Sequence, residues 1–351
     1  MINAMDLNGK KILIIKLRYI GDTLSIIPVV ENLKRNAAHA EVDVMVHKGT
    51  EDVLAFHPDI RKIWVYDRIK AQKKIVSTIC YHKSFIKNMR YEKYDFVIDF
   101  THGDRAAFLS FMIGAPQRIT YRDSSTLSRI LMNRIIDSDP FKHHIVDHQL
   151  ESLRYFGMDT FKREMTVHIP ESSELHIDHL LSTAGIGHDS LNVAIHPGAR
   201  GKLRQWKPER FAEIARRLRD VYKANIILIG GAKEGDLVDA VEREMGFPAS
   251  FGSTELSLLE MAALLRRCSL FLGNDSAPGH IAAAVKCPSL TLFGPTFPHM
   301  WRPLDPVGEV VFKDVPCCGC KQKICTRPDN SCMDLIEADE VWNKVERLIS
   351  L

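Results

Sequence analysis

The residues best placed to do chemistry follow a short apolar run. Leu270-Phe271-Leu272 breaks at Gly273-Asn274-Asp275-Ser276, and Ala277, Pro278, Gly279 and His280 come next. The run reads as a buried parallel strand, the break as a turn and helix start, and Pro278 suits a first helical turn. Small residues follow through Val285, and a second strand, Ser289–Phe293, ends at Gly294-Pro295. This is a βαβ unit. The free N–H groups and the dipole at its helix N-terminus favour an anion, and a diphosphate is the natural guest. The plainer alternative is that Asp275 or Ser276 only caps the helix.

Other candidates sit at equivalent turns. Gly21-Asp22 follows the strand Lys10–Lys16. Pro197-Gly198-Ala199-Arg200 follows Leu191–His196, and Gly230-Gly231 with Glu234 follows Asn225–Ile229. Asp22 reads either as a helix N-cap or as a group facing a ligand. A cysteine cluster, Cys317-x2-Cys320-x4-Cys325-x6-Cys332 with Cys318 extra, stands apart. It reads as a structural zinc or iron–sulfur site, a disulfide clip or free thiols, and does not reproduce a paired C-x2-C zinc module.

The elements that must position these residues alternate between strand and helix throughout, which predicts doubly wound parallel sheets. Strands are expected at Glu41–Val46, Ile63–Tyr66 and Tyr94–Phe100, with a helix over Arg105–Ile113. Thr23–Arg35 has helical spacing, and Pro28 either kinks that helix or begins it. A helix is expected at His148–Phe156, and the polar stretch Asp159–Ser190 marks a change of domain near residue 170. Helices at Glu174–Thr183, Phe211–Tyr222, Leu258–Arg267 and Ala338–Ile349 complete the second half, residues 171–335 and a final helix. Ligands of such sheets bind beyond the carboxyl ends of the strands, so each half is expected to present a rim, the two rims facing across a cleft.

With 351 residues, 45% hydrophobic and 26% charged, the chain has room for two ordinary α/β domains. Its net charge of +3 does not call for nucleic acid. No apolar run approaches a membrane span, and Ile12–Ile15 reads as a first strand rather than a signal peptide. Cysteine usage gives a cytoplasmic location by default. Between Asp67 and Lys93 eight basic residues stand against two acids, with apolar residues interleaved. That reads as a solvated helix face, or as a surface meeting an anionic membrane or phosphorylated acceptor.

Three motifs in order, K-L-R-Y-I-G-D-T-L-S-I-I-P from Lys16, H-P-G-A-R…R-Q-W-K-P-E-R-F from His196, and G-N-D-S-A-P-G-H-I-A-A-A…L-F-G-P-T from Gly273, carry a resemblance. The chain resembles the ADP-heptose:lipopolysaccharide heptosyltransferases, family 9 glycosyltransferases with the GT-B fold, over nearly its whole length. Phe297–Pro303 is similar to the heptosyltransferase III branch. The resemblance implies an inverting, metal-independent transfer of heptose from ADP-L-glycero-D-manno-heptose to the lipopolysaccharide inner core or a lipid A precursor. It implies peripheral attachment at the cytoplasmic face of the inner membrane.

It also implies roles. Asp22 takes the place of the family's catalytic base, with Gly21 before it letting the backbone approach the sugar; Arg18 on the same loop reads either as a surface arginine or as a group that meets an acceptor phosphate or orients Asp22. The family lysine two residues before Trp206 is Arg204 here; register favours Arg204 over Lys202 as the cation at the departing diphosphate, and Trp206 is expected to pack. Asp275, Ser276 and His280 match the donor-binding pattern, with Ala277 and Gly279 in the same turn and Gly198 and Ala199 on the neighbouring loop. Asp275, like-charged to a diphosphate, is expected to hold His280, the loop or a donor hydroxyl. Glu234 is placed at the ribose hydroxyls and Leu256 at the adenine. The final helix, as in other GT-B proteins, is expected to pack on the first domain.

Overall fold

In the computed structural model the chain divides into two compact units, Met1–His168 and Ile169–Leu351. The structure describes residues 5–70, 75–122, 124–187, 189–320, 324–327 and 331–350. Residues 71–74 of the basic stretch lie outside the described residues.

In the first unit six strands form one parallel sheet: β1 (Lys11–Lys16), β2 (Glu41–His47), β3 (Lys62–Tyr66), β4 (Phe96–Asp99), β5 (Gln117–Tyr121) and β6 (Arg134–Ile136). Their order is β3-β2-β1-β4-β5-β6. The helices are α1 (Ile20–Leu24), α2 (Ile27–Asn36), α3 (Ile75–Tyr91), α4 (Asp104–Ile113), α5 (Thr126–Leu131) and α6 (Ile145–Leu150). The central strands are continuous apolar runs because helices cover both faces of a parallel sheet. Ile12, Leu13, Ile14 and Ile15 of β1 are all fully buried. Pro28 begins a helix and kinks none: it stands in the first turn of α2, where a missing N–H costs nothing. The helix read at His148–Phe156 is α6 followed by a 3-10 turn over Glu151–Phe156.

The second unit repeats the plan. Its strands are β7 (Asn192–His196), β8 (Asn225–Ile229), β9 (Phe251–Ser253), β10 (Leu270–Asn274), β11 (Ser289–Phe293) and β12 (Glu309–Phe312). The order β12-β11-β10-β7-β8-β9, read from the other edge, matches the first sheet strand for strand. Its helices are α7 (Glu171–Thr183), α8 (Pro208–Tyr222), α9 (Gly235–Met245), α10 (Leu258–Arg266), α11 (Ala277–Ala284), α12 (Pro298–Trp301) and α13 (Ala338–Ile349). On α8, Phe211, Ile214, Ala215 and Leu218 share one face at helical spacing and are buried. Ser257 and Glu260 close a reciprocal cap on α10. The final helix, expected on the first unit, buries Val341, Val345 and Leu348 in the second unit's core beside Trp206 and Phe211.

In an open sheet of this order, chains leave the first and fourth strands in opposite directions, and a crevice opens between their carboxyl ends. That point falls between β1 and β4 in the first unit and between β7 and β10 in the second.

Candidate functional site

Each crevice gathers polar side chains that the local backbone holds in place. In the first unit Asp22 is in the first turn of α1, whose N-cap is Tyr19, so the capping role for Asp22 is not realised. Asp22 Oδ1 lies 3.2 Å from Lys16 Nζ, and the aspartate side chain keeps 16% of its exposure while the lysine keeps 3%. Gly21 sits half-buried before it. Arg18 is exposed, and its Nε and Nη2 donate to the Thr101 carbonyl at 3.2 and 2.8 Å. Thr101 Oγ1 accepts from Leu17 N at 2.9 Å, so the loop after β4 is stapled to the loop after β1. Arg18 therefore braces this rim, and its bond is to Thr101 rather than to Asp22.

Asp99, the last residue of β4, is fully buried. One oxygen accepts from Thr101 N at 2.7 Å and Oδ2 has no hydrogen-bond partner. Burial pushes its carboxyl up to about 6, partly offset by the Thr101 bonds, His102 and Lys16. Lys16 and Asp99 were not singled out from sequence.

In the second unit, the strand β10 and the small-residue helix α11 form as their sequence predicts. Gly279 has no Cβ to meet Pro303 and Thr291, each 3.3 Å from where one would stand. Asn274 ends β10 fully buried; its Oδ1 accepts from Trp206 N at 3.1 Å and its Nδ2 donates to the Pro197 carbonyl at 2.7 Å. One neutral side chain thus ties the loop after β7 to the loop after β10. Trp206 packs as expected, buried, its Nε1 donating to the Ile336 carbonyl at 2.9 Å.

Arg204 and Asp275 meet: Nη1 stands 3.1 Å from Oδ2. Asp275 is 8% exposed at its side chain and Arg204 33%. Burial raises the Asp275 carboxyl above its ordinary range, opposed first by Arg204, then by a bond from Thr296 and by Arg200. Asp275 holds an arginine, a partner outside the set expected for it. Lys202 is exposed on the same short turn.

Ser276 occupies the N-cap position of α11 without making a side-chain cap bond. Its Oγ donates to the Asn274 carbonyl at 3.1 Å and lies 3.4 Å from His196 Nδ1. The other ring nitrogen of His196 is 3.2 Å from Glu234 Oε2, which also accepts from Gly231 N at 2.7 Å. His196 holds the Glu234 carboxyl below its ordinary range against the opposing effect of burial. Gly198 makes room for this carboxylate: a Cβ there would stand 2.2 Å from Glu234 Oε1. His196, missed as a site residue, is the hub between Ser276 and Glu234. The signal was its place as the last residue of a strand, directly before Pro197-Gly198.

Ala199 is buried and its carbonyl accepts from Gln205 Nε2 at 3.0 Å. Ala277 opens α11, His280 is buried one turn on, and Leu256 is half-buried just before the α10 cap. The second crevice thus combines a helix N-terminus, an arginine poised on a buried acid, and a carboxylate held by histidine. Such donors and acceptors can engage an anionic group and neighbouring hydroxyls.

The cysteine cluster is separate. No disulfide joins Cys317, Cys318, Cys320, Cys325 and Cys332; Cys332 is buried, and burial raises its thiol. Among the described residues no group of three or more His, Cys, Asp or Glu is placed to hold a metal ion. Among them, too, no helix is long and apolar enough to cross a membrane.

Residues 82–329 match the model of glycosyltransferase family 9 (heptosyltransferase). Lipopolysaccharide heptosyltransferase 3 of Escherichia coli (strain K12) is 30% identical over 293 residues, 82% of this chain and 83% of the relative. A family 9 glycosyl transferase from Veillonella parvula DSM 2008 superimposes with a TM-score of 0.86 at 23% identity, covering 99% of each chain. An E. coli heptosyltransferase solved with ADP gives 0.75 at 18% identity over 96% of this chain and 99% of that one. These likenesses give the GT-B fold.

Proposed function

The chain belongs to glycosyltransferase family 9, and on that premise we propose that it transfers heptose from ADP-heptose to the inner core of lipopolysaccharide with inversion, using Asp22 as general base. The observation that carries this reading is the second crevice, where Arg204 on Asp275, the α11 N-terminus and the His196–Glu234 pair converge on one rim. The Arg204 guanidinium spends one nitrogen on Asp275 and has further N–H groups for a phosphate. With the N–H groups of Ser276 and Ala277 it meets the charge that develops on the departing ADP, a task that needs no metal here. Glu234, kept ionised by His196, is an acceptor for ribose hydroxyls. Leu256 lines the base.

Asp22 accepts the proton of the attacking acceptor hydroxyl. The lipid-linked acceptor places the enzyme peripherally on the cytoplasmic face of the inner membrane. A named relative, heptosyltransferase 3, supports the branch.

The test is transfer from ADP-heptose, against UDP- and GDP-sugars, to truncated lipopolysaccharide acceptors. Product with ADP-heptose alone is expected, and Asp22→Asn should lower kcat by about 10³ while ADP still binds. Full activity in Asp22→Asn would sink the base assignment. Preference for another nucleotide would make this a different transferase, and donor binding without turnover on any acceptor would make it a binding protein.

A further inference from the structure

Lys16 is the one charged side chain of β1 that the fold encloses almost completely, at 3% exposure. A buried ammonium is costly unless each N–H finds an acceptor. Lys16 has three N–H groups, and three oxygens surround it. The Phe100 carbonyl is at 3.1 Å and Asp22 Oδ1 at 3.2 Å. The Gln149 amide satisfies all its neighbours when its nitrogen faces the Ser25 carbonyl, at 2.7 Å, and its oxygen then lies 3.2 Å from Lys16 Nζ. Two of the three acceptors are neutral: the Phe100 carbonyl just past β4 and the Gln149 amide of helix α6. The third is the carboxylate given the role of base.

We propose that Lys16 is a positioning residue for the transfer reaction: a fully satisfied, buried ammonium that fixes one oxygen of Asp22 and leaves the other to take the acceptor's proton. The proposal rests on the reading of Asp22 as base. The arrangement has directional logic. A lysine with an unmet N–H would pull Asp22 into any of several poses, but with two N–H groups committed to Phe100 and Gln149 the third has one direction left. Asp22 lies in a five-residue helix with no side-chain cap, so the helix itself gives little rigidity. The lysine supplies it from below.

Other charged groups act on the pair: Arg18 after β1, Asp99 at the end of β4, and His102 through Asp99. Burial pushes the Lys16 ammonium down from its ordinary range, and Asp22 is the largest opposing influence.

The test is the steady-state kinetics of transfer in Lys16→Met, which keeps the volume and removes the charge. kcat should fall by about 10², the cost of a reacting group left loosely aimed. KM for ADP-heptose should stay within about twofold, because the donor groups lie in the other unit. A folded Lys16→Met with the parent's kcat overturns the proposal.

Should Lys16→Met fail to fold, Asp22→Asn gives a reading that needs no activity. There Lys16 loses its anionic hydrogen-bond partner Asp22, and its folded-state pKa drops further below the unfolded value. Protonated Lys16 then destabilises that variant at neutral pH, and the deficit shrinks as pH rises toward the lysine's ordinary range. A difference in Tm from the parent that narrows between neutral and alkaline pH supports the pair; a constant difference overturns it. Activity retained in Asp22→Asn defeats the base reading on separate grounds, and the Tm comparison then decides whether the pair exists.

Discussion

The two sheets share one strand order and place their polar residues at the same topological point, yet they solve the local problem with opposite chemistry. In the first unit the opening strand ends in Lys16 and the fourth strand in Asp99, both charged and enclosed. In the second the same positions hold His196 and Asn274. The neutral Asn274 spends both ends of its amide on backbone, joining two loops. Asp99 also ties a loop, through Thr101 N, but leaves an oxygen without a partner. On the proposed function the difference follows from what each crevice would do. A site for an anion is served by stiff loops and outward-facing donors, and an unpaired buried negative charge beneath it would work against the ligand. A site for a base is served by a carboxylate held in one pose, which a cation underneath provides.

The comparison breaks most sharply at Arg204. If the second crevice holds an anion through this guanidinium, Arg204→Met should lower kcat/KM by about 10²–10³, the range for losing one donor to developing charge. Arg204→Lys should recover part of it, because a lysine restores the charge but not the fork that spans Asp275 and a phosphate. The reading fails if Arg204→Met transfers at the parent's rate. Arg204→Met also leaves Asp275 buried without its cation, so thermal unfolding should be checked alongside.

A smaller effect is expected at Gly198. A methyl group there collides with the Glu234 carboxylate. The obstacle is the end of a flexible side chain, so Gly198→Ala should cost only about 1 kcal/mol of stability. Glu234 would leave His196 and Gly231, and KM for the donor should rise by about tenfold as one directed hydrogen-bonding group is lost. Steady-state kinetics across donor concentrations reads this. An unchanged KM would show that the carboxylate's place on this rim is unrelated to the nucleotide and would leave the second crevice with one functional pair instead of two.

What the sequence made legible follows the strength of local signals. Strands buried on both faces appear as apolar runs, so β1, β7, β8, β10 and β11 stand out, as do the amphipathic helices α8 and α13. The edge strands β6, β9 and β12 and the half-polar β5 (QRITY) lack that signature, because only part of each is enclosed. Asp22, Glu234, Asp275 and Ser276 were visible as polar residues just past strand ends. Lys16 was not, since a lysine flanking an apolar run reads as solvent contact. Its enclosure depends on Phe100, 84 residues away, and on helix α6. His196 was hidden for a similar reason: its partners Ser276 and Glu234 come from other turns of the chain. Long-range pairing, rather than local propensity, decides such residues.

The smallest effect tests the charged side of the comparison through stability alone. Asp99 carries a carboxyl raised to about 6 from an ordinary 3.8. The folded state therefore binds this proton more tightly than the unfolded one. Stability contributed by the protonated form is present at low pH and is lost as pH rises between those two values. The shift corresponds to at most about 3 kcal/mol at full separation of the two titrations. Other carboxylates are held below their ordinary range, Glu92 at about 2 among its cations, and act in the opposite sense at lower pH. Asp99→Asn keeps an oxygen for Thr101 N and removes the titration. Denaturant unfolding from pH 4 to 7 should then show the parent losing stability relative to Asp99→Asn as pH rises, with the gap closing toward pH 4. Parallel curves would mean that the fold does not raise the Asp99 carboxyl, and the first crevice would then hold Asp99 as a second, fully ionised enclosed charge beside Lys16.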